Sequence, residues 1–179
     1  MTSQSLPEPT DTANHDEVDE LVAAWRRERS DLPVDPMHIW SRILRLAVHL
    51  DGARRVAHAQ HGLEGWEFDV LAALRKEGAP YTMSPGQLLK QTHVTSGTMT
   101  NRVDRLVTRG FVRRQADPND GRVVRVVLTD DGKEAVDAAL EALLEAEEAL
   151  LSHLDPERRE RLADALRGLL LAQEERTEG

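Results

Sequence analysis

Two short helical patterns joined by a tight turn, and followed at once by two β-rich segments, are the feature that most restricts the fold of this chain. In "SPGQLLKQTHVTSGTMTNRVDRLVTRG", residues 84–110, Ser84 precedes a proline and is a candidate helix N-cap. Thr95 or Ser96 is the candidate cap of the next helix, which ends at Gly110. The positions of that helix expected to face inward are Met99, Val103, Leu106 and Val107.

The residues after Gly110 predict a β-hairpin. The stretches "FVRRQ" and "RVVRVVLT" are rich in β-branched residues and alternate in polarity. Between them, "ADPNDG" is a cluster of turn-forming residues. Helix, turn, helix and hairpin in this order, preceded by the helical pattern "EGWEFDVLAALRKEG", predict a winged helix-turn-helix over residues 62–129.

The rest of the chain predicts helices, so the fold class is mainly α with a small β-hairpin wing. Residues 1–14 are poor in apolar side chains and predict a disordered tail. Residues 15–31 predict an added N-terminal helix, and residues 34–61 and 130–174 predict longer helices. The added helix carries its apolar stripe on Val18, Leu21, Val22 and Trp25.

The long helices present more apolar surface than one chain is expected to cover, which predicts a helical dimerisation region and a homodimer. An intramolecular helical hairpin is the alternative. The apolar positions that carry the prediction are Ile39, Ile43, Leu46, Ala47 and Leu50, then Val136, Ala139, Leu140, Leu143, Leu144, Leu150 and Leu151, and finally Leu162, Leu166, Leu169 and Leu170.

Charge is unevenly distributed along this acidic chain of net charge −9. Residues 84–125 hold eight bases and three acids, a balance of +5. The flanks are acidic, with −5 over residues 1–31 and −9 over residues 126–179. A basic region between acidic flanks fits an electrostatic surface for a polyanion, and a solvated helix face with incidental arginines is the alternative.

The second helix of the pattern has the residues that DNA recognition needs. Its first turn has short hydroxyl side chains, which permit close approach to DNA, and its positive dipole end favours phosphate. Asn101 and Arg102 are suited to adenine and guanine, and Arg109 lies further along, where phosphate is expected. Arg122 at the hairpin tip suits a narrow minor groove, with Asp120 orienting it; an ordinary surface ion pair is the alternative. The candidate DNA-binding residues are Ser84, Thr95, Ser96, Thr98, Thr100, Asn101, Arg102, Arg105, Arg109, Asp120 and Arg122.

Several other functions are disfavoured. The chain has no cysteine, no apolar run of membrane-spanning length and no signal-peptide pattern, so we expect a cytoplasmic protein. His58 and His61 are three residues apart, but this spacing without a carboxylate cluster indicates a solvated face more than a metal site. No catalytic arrangement or phosphate-binding loop is visible, so neither an enzyme nor a cofactor is expected.

The segment "VTRGFVRRQADPNDGRVVRVVLTDDGKEAV" and the long C-terminal helices resemble the multiple antibiotic resistance regulator (MarR) family, and the resemblance covers about residues 34–174. It implies a homodimer of winged helix-turn-helix subunits that binds a pseudo-palindrome, usually as a repressor. The family's wing-tip arginine and its partner acid match Arg122 and Asp120. Many members have "DRR" where this chain has Asp120, Gly121 and Arg122, so one positive charge is missing.

The added N-terminal helix resembles the urate-responsive, PecS-type branch of that family. The resemblance implies a small-anion pocket with Trp25, Asp69 and Arg114 as ligand residues. At the position of a further arginine of the branch, this chain has Lys76. A lysine binds anions as a point charge, so polycarboxylates and aromatic acids are candidate ligands in addition to urate. The alternatives are that Trp25 only packs the added helix and that Asp69 and Arg114 form a structural ion pair. A winged-helix protein-interaction module without a DNA target is the rival function.

Overall fold

The computed structural model describes residues 15–92, 94–117 and 124–178. The chain divides into two compact units, residues 1–49 and 50–179, and each is described by itself. Within the described residues the helices are α1 (Glu17–Glu28), α2 (Met37–Gln60), α3 (Gly65–Lys76), α4 (Pro85–Thr92), α5 (Ser96–Thr108), α6 (Asp130–Leu151) and α7 (Pro156–Glu178). The strands are β1 (Thr82–Met83), β2 (Val112–Ala116) and β3 (Val124–Leu128).

In the first unit, α1 begins with a capping box. Asp16 accepts hydrogen bonds from the backbone of the first turn, and the Asp19 carboxylate accepts one from the Asp16 N–H. Val18 and Val22 are buried, as the predicted stripe requires, whereas Trp25 is 44% exposed. The structure therefore contains a helix within the predicted residues 15–31, and its tryptophan is half exposed.

Arg42 of α2 ties the start of α1 to the body of the first unit. Its guanidinium lies 2.8 Å from Asp16 Oδ2 and 2.9 Å from Asp19 Oδ1. Hydrogen bonds from the Asp16 N–H and from Arg42 lower the pKa of Asp19 to about 2. Both carboxylates therefore stay ionised over the physiological range.

The second unit has one hydrophobic core formed by α3, α4, α5, the sheet and α6. Leu71 and Leu74 of α3, Leu88 of α4 and Leu106 of α5 are fully buried. The stripe of α5 that reaches this core runs through Met99, Val103 and Leu106. The prediction that Val107 faces inward is wrong, because this residue lies beside the stripe and is 38% exposed.

The sheet has the strand order β1-β3-β2 and is antiparallel throughout. The strands β2 and β3 form the predicted hairpin, with Arg114 opposite Val126. The short β1 strand was not predicted from the sequence, because two residues are too few to show alternation. It becomes visible only where Thr82 pairs with Val127.

Close packing joins the hairpin to the helices on either side. Gly110 has φ +77°, so a residue without Cβ suits the end of α5. Thr129 caps α6 and donates through its hydroxyl to the Gly110 carbonyl at 2.7 Å. A Cβ at Gly132 would lie 2.1 Å from the Phe111 carbonyl oxygen, so this position of α6 requires glycine. These contacts fix the hairpin against α5 and α6.

Much of the predicted dimerisation surface is exposed in the single chain. In α7, no residue with a described side chain is buried, and Leu166 and Leu170 are 44% and 61% exposed. In α6, Val136, Ala139 and Leu143 enter the core, but other apolar residues of the helix stay outside. Other exposed apolar residues are Leu140, Leu144, Leu150 and Leu151 of α6, Leu162 and Leu171 of α7, and Ile39, Trp40, Leu44, Leu46, Val48 and Val56 of α2. An intramolecular hairpin of α6 and α7 therefore does not cover these leucines.

Candidate nucleic-acid interface

The N-terminus of α5 presents a row of exposed hydroxyl residues. Thr95 is the N-cap, and its Oγ1 accepts a hydrogen bond from the Thr98 N–H at 3.4 Å. The hydroxyl of Thr100 donates to the Ser96 carbonyl at 3.1 Å. These four side chains and Asn101 are all exposed. The first turn therefore offers small donors and acceptors together with the positive end of the helix dipole.

The preceding helix, α4, is also capped as its sequence predicts. The Ser84 hydroxyl accepts from the Gln87 N–H at 3.2 Å, and the Gln87 side chain accepts from the Ser84 N–H at 2.8 Å. This reciprocal pair satisfies two backbone donors at the start of a helix of eight residues. Ser84 thus has a structural role in addition to its predicted place at DNA.

The three arginines of α5 and its C-cap have different environments. Within the described part of the chain, Arg102 has no ion pair, and its guanidinium carbon lies 5.5 Å from the centre of the Trp66 ring. Arg105 lies over the same ring at 4.7 Å and donates to Glu64 at 2.7 Å. Hydrogen bonds from the Trp66 indole and from Arg105 lower the pKa of Glu64. Arg102 is therefore the arginine of this helix whose charge is left uncompensated.

Arg109 instead serves the fold. Its guanidinium donates to Glu67 at 2.5 Å and to the Gly62 carbonyl at 2.9 Å, and it stacks on Phe111 at 4.5 Å. The Glu67 side chain is 1% exposed, so Arg109 compensates a buried charge. The Arg109 guanidinium is thus already engaged within the protein. Its predicted contact with DNA phosphate stays a prediction.

Three residues of this surface were not predicted from the sequence: Glu64, Trp66 and Glu67. A signal was present: Glu64 precedes Glu67 by three residues at the start of a helical pattern, the spacing of a capping box. The Glu67 carboxylate indeed accepts from the Glu64 N–H at 2.9 Å. The contacts of these residues with α5 span about forty residues of sequence and have no local pattern.

Arg114, a predicted ligand residue, joins the wing to α5. Its Nη1 lies 2.5 Å from Oδ1 of Asp104, and both side chains are about half exposed. The alternative of a structural ion pair between Asp69 and Arg114 is not observed among the described residues. The single acid of α5 is instead the partner of this arginine.

Two further predicted ligand residues, Asp69 and Lys76, lie together on one side of α3. They line an open cavity of about 320 Å³ with Gln91 and Thr92 of α4. Arg75 does not enter this cavity, because it donates to Asp137 at 2.8 Å. Trp25, the fourth predicted ligand residue, belongs to the first unit. Asp120 and Arg122, at the wing tip, lie outside the described residues.

His58 of α2 is buried, contrary to its prediction. His58 was predicted on a solvated face, but it is 3% exposed and stacks on Phe68 at 4.2 Å. Burial, with the nearby Arg54, lowers the pKa of His58. Among residues 15–92, 94–117 and 124–178, no group of three or more potential ligands could hold a metal ion. No helix in the same part of the chain is both long and apolar enough to cross a membrane.

Comparison with known proteins agrees with this architecture. The MarR family matches residues 61–123. The chain is 36% identical over 150 residues to the HTH-type transcriptional regulator PecS of Dickeya dadantii, covering 84% of this chain and 90% of that protein. It is 39% identical over 66 residues to the multiple antibiotic resistance protein MarR of Salmonella typhimurium, covering 37% of this chain and 44% of that protein.

Solved structures show the same fold. Sco5413, a MarR family transcriptional regulator from Streptomyces coelicolor, is 25% identical with a TM-score of 0.64, over 79% of this chain and 97% of that one. Sco3205 of the same organism, solved in complex with DNA, gives a TM-score of 0.66 at 23% identity, over 78% of this chain and 88% of that one. These relatives are transcriptional regulators and not enzymes. The chain therefore belongs to the MarR family of winged helix-turn-helix transcriptional regulators.

Proposed function

We propose that this regulator acts as a homodimeric repressor on a pseudo-palindromic operator and is released by a small anionic ligand. The observation that carries the proposal is the start of α5. Exposed hydroxyls lie there beside Asn101 and Arg102, and the Arg102 guanidinium has no ion pair within the described chain. Such a surface offers hydrogen bonds to base edges and uncompensated charge to phosphates. A regulator of this kind works in the cytoplasm, where it reaches the chromosome.

The exposed leucines support the homodimer. Leu144, Leu166 and Leu170 remain between 44% and 61% exposed in the single chain. Large apolar side chains left exposed on long helices are typical of a subunit interface. A two-fold dimer would place two copies of α5 in successive major grooves, about 34 Å apart.

The ligand proposal rests on separate observations in the second unit and on the family resemblance. Asp69 and Lys76 share a cavity, and the exposed guanidinium of Arg114 can bind a carboxylate bidentately. The resemblance to the urate-responsive branch adds Trp25, whose half-exposed ring offers a face for stacking. BpsR of Bordetella bronchiseptica, a solved structure 25% identical to this chain with a TM-score of 0.55, has its DNA binding regulated by 6-hydroxynicotinic acid, an aromatic acid.

The Arg114–Asp104 pair offers a way to couple ligand to DNA. An anion that binds Arg114 competes with Asp104, and Asp104 lies on the helix that would read DNA. The coupling free energy cannot exceed the ligand's preference for the form that does not bind DNA.

The test is selection of duplexes from random oligonucleotides by the purified protein, followed by titration over a range of salt concentrations. We expect one enriched pseudo-palindrome, one dimer per duplex and a steep loss of affinity with salt through counterion release. No enrichment, with a flat salt response, would contradict DNA binding and favour a protein-interaction module.

A further inference from the structure

We infer that Trp66 is a positioning residue of the DNA-binding surface, because it orients the Arg102 guanidinium for contact with DNA. Glu64, by contrast, pairs with Arg105 and so keeps that arginine from contacting DNA. The inference rests on the proposed function, because it concerns how the same surface reads DNA. Trp66 belongs to α3, outside the helix-turn-helix segment itself.

The indole of Trp66 lies under two guanidinium groups. Arg105 is 4.7 Å and Arg102 is 5.5 Å from the ring centre, and both distances are within the range of cation–π attraction. The two arginines are three residues apart on α5, so they extend from the same face of the helix. One ring therefore restrains both side chains.

The ring itself is fixed by α3. Its Nε1–H donates to Glu64 Oε2 at 2.6 Å, and Glu64 is the N-cap residue whose N–H is bound by Glu67. The other oxygen of Glu64 accepts from Arg105 at 2.7 Å. Glu64 and Trp66 thus form a hydrogen-bonded platform at the start of α3.

The two arginines make different contacts with the platform. Arg105 has a carboxylate partner, so its charge is compensated and its guanidinium is engaged. Within residues 15–92, 94–117 and 124–178, the only interaction found for the Arg102 guanidinium is that with the ring, which restricts its rotamers without occupying its five N–H donors. An arginine that is ordered before binding loses less conformational entropy on contact, and bidentate recognition of guanine depends on the plane of its guanidinium.

This arrangement predicts an effect on specificity rather than on general affinity. Attraction to the phosphate backbone depends on charge, and removal of Trp66 leaves every charge in place. Removal of the ring therefore weakens binding to the operator and leaves binding to random duplexes nearly unchanged. A merely structural role for Trp66 would weaken both.

The experiment is a double-mutant cycle with Trp66→Leu and Arg102→Ala, measured by fluorescence anisotropy on a selected operator and on a random duplex of equal length. We expect Trp66→Leu to weaken operator binding about five- to tenfold and random binding less than about twofold. In the Arg102→Ala background, Trp66→Leu should weaken operator binding by less than about twofold. The conservative variant Trp66→Phe keeps a ring face and should retain most of the operator affinity.

Arg113→Ala is the matched control background. Arg113 is an exposed arginine of β2 that hydrogen-bonds Gln115. Among the described residues no hydrogen bond or cation–π contact joins it to Trp66, so Trp66→Leu should keep its full effect there. If the fold-losses of operator affinity caused by Trp66→Leu and by Arg102→Ala simply multiply in the double variant, the inference is overturned. Equal losses on both duplexes would also overturn it.

Glu64→Gln tests the inference that Glu64 keeps Arg105 from contacting DNA. The substitution leaves the hydrophobic core unchanged, because the Glu64 side chain is 58% exposed. We expect stronger binding to random DNA and a salt dependence steeper by about one unit, because a released Arg105 reaches phosphate. An unchanged salt dependence would overturn this part even if Trp66→Leu fails to fold. A wild-type protein that binds no duplex would refute the proposed function instead.

Discussion

The Arg109 guanidinium lies 2.5 Å from the carboxylate of Glu67, a side chain that is 1% exposed. This pair joins the C-cap of α5 to the first turn of α3. It holds the two helices that carry the proposed DNA-binding surface at a fixed separation, and its removal tests how much the fold depends on it.

Arg109→Met should lower the free energy of unfolding by about 2 kcal/mol, because it leaves the Glu67 charge buried and uncompensated. The value is set below that of a fully buried pair, since the Arg109 side chain is 37% exposed. Urea denaturation at one fixed protein concentration measures the change. Arg113→Met, at an exposed site, is the control and should change stability by less than about 0.5 kcal/mol. Equal stability of the two variants would show that the pair is not needed.

The sequence predicted local features well and long-range contacts poorly. The cap at Thr95, the stop of α5 just before Gly110 and the paired strands of the hairpin all depend on neighbouring residues, and all are present. The partners of Arg105 and Arg109 are glutamates some forty residues earlier in the chain, so no periodicity could reveal them. His58 appeared to lie on a polar face because its stacking partner, Phe68, belongs to another helix.

Dimerisation can be tested on α7. Leu166→Glu places a charge on the exposed apolar stripe and should weaken the homodimer by at least about 30-fold, or about 2 kcal/mol, because the charge would be desolvated at the interface. Sedimentation across a range of protein concentrations measures this change. Gly168→Glu adds the same charge on the opposite side of α7, where a Cβ meets no neighbour, and should leave the dimer intact. Dimers of equal strength in both variants would place the interface elsewhere.

The ligand residues can be tested with named anions. In a thermal-shift screen with urate, citrate, aconitate and salicylate, we expect at least one anion to raise the melting temperature of the wild type. Trp25→Phe and Arg114→Lys should each reduce that shift, since the first shrinks the stacking face and the second removes the bidentate fork. Trp40→Phe, at another half-exposed tryptophan of the first unit, is the control. A shift that survives both Trp25→Phe and Arg114→Lys would remove these residues from the ligand site.

Arg122 tests the wing. Arg122→Ala should weaken operator binding and reduce the slope of the salt dependence by about one, because one contact to the DNA backbone or minor groove is lost. Arg167→Ala removes the same charge from α7, where Arg167 pairs with Asp164, and should leave the slope unchanged. A gel-shift titration at several salt concentrations distinguishes the two variants. Unchanged affinity of Arg122→Ala would show that the wing tip does not contact DNA.

The start of α1 should respond to acid. The pKa of Asp19 is about 2 in the folded chain against 3.8 for a free aspartate, so its ionised form is favoured by folding. The stabilisation is complete above about pH 4 and is lost as the pH falls from 3.8 towards 2.

NMR titration of the side-chain carboxyl groups should report the depressed pKa of Asp19. Arg42→Gln removes one of its two main hydrogen-bonding partners and should move that pKa upward. The pKa of Asp31, which its hydrogen bonds with Arg29 lower, should stay lowered in this variant and is the control. An Asp19 pKa that stays near 2 in Arg42→Gln would mean that the backbone cap alone holds this carboxylate.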